Sequence, residues 1–205
     1  MSGALVAGLL AGYGIAVPVG AVSAYLVSLT ARTDLRTGAC AALGVATADG
    51  LYAIAAVGGG AALTPLVEGI RTPLRWGSVL VLLALAAHTA VTALRRRGDP
   101  GRDGPTGLAP GRAYLGLLGI TLLNPMTVVY FTALVLGDTD TVTGSGQRAL
   151  FAIAAFTASA SWQLLLAGGG ALLGRGLTGP RGRLVTACAS SVLIAGLAVR
   201  LALTG

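Results

Sequence analysis

The stretch 16-AVPVGAVSAY-25 decides how this chain folds, because it places a proline inside an apolar run that extends from about Gly3 to Thr30. A run of that length is enough to cross a bilayer. Pro18 has no N–H, and its ring clashes with the carbonyl four residues back, that of Gly14. In lipid an unpaired backbone group is costly, so a membrane helix broken at mid-depth needs compensation from neighbouring helices, or a use.

The rest of the chain supports the membrane reading. Of 205 residues, 55% are hydrophobic and only 10% charged, and mean hydropathy is +0.83. A soluble domain carries about a quarter charged residues. Apolar runs fall at roughly 3–30, 38–62, 73–94, 113–136, 147–173 and 184–204, each long enough to span hydrocarbon. The N-terminus lacks the positive region of a signal peptide, so the first run is expected to stay as a helix. The expectation is an all-α integral membrane protein of six transmembrane helices.

All fourteen basic residues are arginines, lying mostly between the runs. That placement favours membrane orientation over nucleic-acid binding. Ten are in the first, third and fifth connections, and three are in or beside the second and fourth. The odd connections are therefore expected in the cytoplasm and both termini outside, in a plasma (inner) membrane. The run Arg95–Arg97 reads as a stop-transfer anchor. Residues 95–112, rich in Pro, Gly and Arg, read as a flexible linker.

Two of the eight prolines, Pro18 and Pro125, fall inside membrane runs. Pro125 stands mid-way along the fourth run, in 122-LLNPMTVVYF-131, as Pro18 does in the first. The two runs are three apart, an odd offset, so the two halves enter the membrane from opposite sides. Matched breaks of this kind indicate two inverted three-helix repeats with broken helices 1 and 4. The chain then forms one transmembrane domain over 1–205, with repeat one at 1–94, the linker at 95–112 and repeat two at 113–205. Such repeats place a substrate site near the midplane. Gly20 loosens the backbone, the resumed half-helix presents N–H groups and a positive dipole end to a carboxylate, and Ser23 and Asn124 add hydrogen-bonding side chains.

Seven residues are acidic, and only Asp49 lies within a membrane run. An aspartate at bilayer centre costs about 2.5–3.5 kcal/mol on insertion scales, so it needs a partner or a water-filled cavity. No basic residue has comparable depth. Asp49 is expected to serve as a proton-coupling residue or to meet a cation that comes and goes. Tyr52 follows it by three residues on the same helix face. In the fifth run, Ser159, Ser161, Trp162 and Gln163 lie near mid-depth, where a tryptophan suggests contact with a cavity or substrate rather than the interface belt. Gly8 and Gly12 are expected to be helix-packing positions.

These residues together resemble the LysE family of amino-acid exporters over most of the chain, the third connection excepted. The family's first-helix Gly-Pro motif and polar stretch correspond to 17-VPVGAVSAY-25, and its second-helix Gly-rich segment with an acid to 42-ALGVATADG-50. Its Leu-Asn-Pro break corresponds to 123-LNP-125, and its Ala-Phe-x-Ala-Ser-x-x-Trp to 155-AFTASASW-162. Many members have Pro-Gly-Pro in helix one, where this chain has Pro18-Val19-Gly20. The resemblance implies secondary transport outward, coupled to a proton or other ion gradient.

The expected substrate-binding residues are Pro18, Gly20, Ser23, Asp49, Tyr52, Asn124, Pro125, Ser159 and Trp162, with Asp49 as the proton-coupling residue. The partners are an amino acid or similar small metabolite, a coupling ion, membrane lipid and, compatibly, further copies of the chain. No nucleic acid, cofactor, metal or ATP site is expected. An enzyme is disfavoured: an intramembrane aspartyl protease needs a second membrane acid, and His88, the one histidine, accompanies no G-x-S-x-G motif. The alternatives are a heavy-metal or cation efflux transporter, whose ligands Cys40, His88 and Cys188 would come from three separate runs, and a non-transporting membrane scaffold.

Overall fold

The computed structural model describes residues 2–18, 20–59, 108–124 and 144–176, the positions 127, 130 and 131, and scattered positions within 72–91 and 188–203. Among the described residues there are only helices. They are α1 (Ser2–Ala16), α2 (Ala21–Arg32), α3 (Leu35–Gly59), α4 (Pro110–Leu122) and α5 (Ser145–Gly176). Two of them, α3 and α5, are long and apolar enough to cross a membrane unaided. The pair α1 and α2 passes the same test as one broken span.

The first run breaks where its proline demands. The Val17 N–H still reaches the Tyr13 carbonyl at 2.9 Å, but Pro18 has no N–H to continue the ladder. Helix α2 restarts from Gly20, an extended N-cap residue (φ −106°, ψ −173°) with no side-chain cap. The axes of α1 and α2 meet at 74°. The fourth run also stops. Helix α4 ends at Leu122, the Asn124 N–H turns back to the Thr121 carbonyl at 3.1 Å, and Thr127 is helical again. Pro125 itself lies outside the described residues, as do most of the third and sixth runs.

Several boundaries differ from the sequence expectation. The first connection shrinks from 31–37 to Thr33 and Asp34, because polar residues end one helix and begin the next. Arg32 Nε donates to the Ser28 carbonyl at 3.0 Å. Asp34 caps α3, its carboxylate accepting the Thr37 N–H at 2.9 Å and the Thr37 hydroxyl at 2.8 Å. That N3 contact is what an N-cap residue supplies. Pro110 opens α4 at its first turn, a position proline tolerates.

Small residues set how closely the helices pack. Gly8 and Gly12 of α1 rest against the Phe151 and Ala155 carbonyls of α5, and an added Cβ would fall 2.8 Å from Ala154 and Ala158 respectively. The expectation that these glycines are packing positions holds. Gly44 of α3 lies against the backbone of Tyr114 and Leu118 of α4, and Gly170 of α5 lies against Val27 and Thr30 of α2. Helices α3 and α5 are the central pair and run antiparallel. Ala53 and Val57 share a cluster with Phe151 and Ala155, and Ala41 and Val45 share another with Ala167. In lipid such close approach, with its many dispersion contacts, is a main source of helix association.

Candidate functional site

At the middle of the central pair, buried Ser159 of α5 donates its hydroxyl to the buried Asp49 carboxylate of α3 at 2.6 Å. Among the described residues this is the one hydrogen bond to Asp49. No arginine side chain in that set reaches it, so the acid is held by a neutral partner. Ala46, Ala48 and Ala158, neighbours of the pair along their helices, are almost fully buried.

The fourth-run break comes to the same helix face. One turn along α3 from Asp49, the Tyr52 hydroxyl donates to the Leu122 carbonyl at 2.6 Å, at the point where α4 stops. That carbonyl has no N–H of its own helix to meet, so Tyr52 satisfies it. The Tyr52 ring stacks on Phe131, with centroids 5.9 Å apart. Beyond the break, the Tyr130 hydroxyl reaches back to the Ala11 carbonyl of α1 at 3.0 Å, passing the bare Cα of Gly14. Tyr130 also meets Phe131 edge to face at 5.4 Å. One aromatic cluster thus ties the ends of both interrupted runs together.

The other expected residues are placed as follows. Pro18 is exposed at the first break, and Gly20 is the N-cap of α2. Ser23 is buried in the first turn of α2. Asn124 is half-buried just after α4. Trp162 is half-buried and Gln163 beside it is buried; among the described residues the Trp162 indole N–H and the Gln163 side-chain oxygen are buried without a partner. Ser161 points instead to α1, 3.0 Å from the Tyr13 hydroxyl. Among the described residues, the buried hydroxyls of Thr121 and Ser28 are also without a partner.

A family model decides what this arrangement belongs to: that of the LysE type translocators matches residues 14–205. The chain belongs to that family. It is therefore a membrane transporter for a small molecule. No curated protein and no solved structure matches it.

The LysE-type frame explains why buried polar groups persist here at the cost they carry in lipid. Among the described residues no three His, Cys, Asp or Glu side chains converge as a metal site. Tyr130 and Tyr13 were not legible as site residues from the sequence.

Proposed function

We propose that the chain is a secondary transporter that exports amino acids or related small metabolites across the plasma membrane by alternating access, driven by the proton gradient. The observation that carries this reading is Asp49, a membrane-depth acid on Ser159 alone among the described residues, between two interrupted helices.

The packing registers support two inverted repeats, and with them six spans and a single domain of repeats 1–94 and 113–205 joined by 95–112. Going from Pro18 to Pro125 is a shift of 107 positions. The same shift carries Gly8 onto Leu115, and its reverse carries Phe151 onto Gly44 and Ala154 onto Thr47. Gly8 packs on Phe151 and Ala154; Gly44 packs on Tyr114 and Leu118, which flank Leu115, and the Tyr114 hydroxyl donates to Thr47. The shift also carries the contact of Asp49 with Ser159 onto Phe156 and Tyr52, the next rung of the same antiparallel pair. A two-fold axis in the membrane plane would therefore pass beside Asp49, where such transporters hold their substrate.

The chemistry follows from the ends of the broken spans. The first-turn N–H groups of α2 lie beyond an uncapped Gly20 and suit a carboxylate. When the cavity opens outward, Asp49 takes a proton from outside. When it opens inward, Asp49 releases that proton to the cytoplasm as substrate binds. One proton entering then drives one substrate outward.

Purified protein in liposomes, loaded with a mixture of the twenty protein amino acids, is expected to show counterflow of at least one labelled member, and export that speeds up under an inward proton gradient. Absence of counterflow for every member would overturn the amino-acid reading.

A further inference from the structure

Gln163 is 3% exposed, and among the described residues its side-chain carbonyl oxygen has no hydrogen-bond donor. Burying an acceptor unpaired is costly, the more so away from water. A position that keeps such a group is one where a donor arrives from elsewhere.

Its place on α5 says where that donor would be. Gln163 follows Ser159 by four residues and precedes Ala167 by four, so the three share one helix face. Ser159 meets Asp49 of α3. Ala167 packs in one cluster with Val22 and Leu26 of α2 and Val45 of α3. Gln163 is therefore one turn from the Asp49 contact, toward the first turn of α2. The register agrees. Along α5, Ala155 and Ala158 meet Gly12 of α1, and Gly170 meets Val27 of α2. Gln163 falls between these contacts, level with the break at Pro18–Gly20. Trp162 follows Ala158 by four and so continues the face that meets α1, and its buried indole N–H has no partner among the described residues.

An unpaired acceptor, an unpaired donor and an uncapped helix start at one level complement a zwitterion. The donors suit a carboxylate and the acceptor suits an ammonium group. Asp49 already accepts from Ser159, and a neutral acceptor for the ammonium leaves that acid free to titrate. We propose that Gln163 is a substrate-binding residue whose carbonyl oxygen accepts a hydrogen bond from the α-ammonium of an amino acid, while the carboxylate rests on the first turn of α2 and the Trp162 indole N–H. The inference rests on the amino-acid export reading and deepens it: an α-amino group beside a carboxylate becomes the recognised unit, ahead of the side chain.

The test is counterflow of labelled leucine, threonine and lysine, each competed by the unlabelled amino acid and by the matching acid that lacks the α-amino group. Wild-type protein is expected to prefer the amino acid over its des-amino acid. Gln163→Met keeps volume but removes the acceptor, and should reduce that preference about tenfold or more. Gln163→Glu keeps an acceptor and should retain it. Activity is normalised to inserted protein, and if the Met variant carries nothing, the same preference is read from ligand-induced thermal shifts in detergent. A preference that survives Gln163→Met in either readout overturns this inference alone. Failure of wild-type protein to carry any of the three, together with silence in the twenty-amino-acid screen, removes the export reading and this inference with it.

Discussion

The Ser159 hydroxyl and the Asp49 carboxylate lie 2.6 Å apart, the two residues are separated by 110 positions in sequence, and both are buried. The contact joins the second run to the fifth at the level between the two interrupted runs. A hydroxyl donor stabilises the carboxylate without neutralising it, so the pair accommodates either protonation state of Asp49 with a rotation of the serine hydroxyl. An arginine in place of the serine would fix the charge and end any proton exchange.

The close approach of α1 to α5 depends on the absence of a side chain at Gly12. Gly12→Val should force the helices apart, because its Cβ would meet the Ala155 carbonyl and lie 2.8 Å from the Ala158 methyl. Overpacking of this kind costs about 1–3 kcal/mol. The expected outcome is a lower unfolding temperature in detergent, and Gly3→Val, at a position with open space, should leave it unchanged.

Tyr52→Phe removes the hydroxyl that satisfies the Leu122 carbonyl while keeping the ring stacked on Phe131. The loss of one hydrogen bond to a partly buried carbonyl is worth about 1 kcal/mol. If Tyr52 holds the fourth-run break, the variant should insert normally but expose residues near Asn124 to faster thiol labelling of a cysteine placed there. Equal labelling rates would show that the hydroxyl has no such part.

Asp34 offers a pH signature outside the membrane. The Thr37 backbone N–H, and next the Thr37 hydroxyl, hold its carboxyl below the usual carboxylate range. A group whose folded pKa is lowered contributes stability above its unfolded value, near about 3.9, and loses it as pH falls through the folded value. Asp34→Ala should therefore lower stability by about 1 kcal/mol at neutral pH, and the gap from wild type should narrow below about pH 4. A gap independent of pH would mean that the carboxylate charge does not contribute.

Ten arginines against three predict that the odd connections face the cytoplasm. In intact cells, a membrane-impermeant thiol reagent should miss a cysteine placed at Gly104 and modify one placed at Ser145. The reverse pattern would put the odd connections outside and overturn the topology.

Much of this was legible in the sequence because membrane depth makes a few residues expensive. A proline, an aspartate or a tryptophan inside an apolar run stands out against its cost in lipid. Thus the break at Pro18, the membrane reading and the packing role of Gly8 and Gly12 came from residue type and position alone. What was not legible depends on which helices meet. Asp49 gives no sign in sequence that Ser159 is its partner, since any of several mid-depth hydroxyls would serve. Nor does Tyr52 show in sequence that its hydroxyl reaches the Leu122 carbonyl, a contact set by the register of α3 on α4 through Gly44. Helix ends were misjudged by a few residues because Arg32 and Asp34 are polar yet helix-terminal, so hydropathy assigns them to a connection.

The central claim is that Asp49 couples transport to the proton gradient. Asp49→Asn keeps shape and the contact with Ser159 but removes the titratable proton. In proteoliposomes, with activity normalised to inserted protein, the account predicts that gradient-driven transport falls to the level of protein-free liposomes while counterflow between equal substrate pools survives. An Asp49→Asn protein that accumulates substrate under a proton gradient as well as wild type would contradict it.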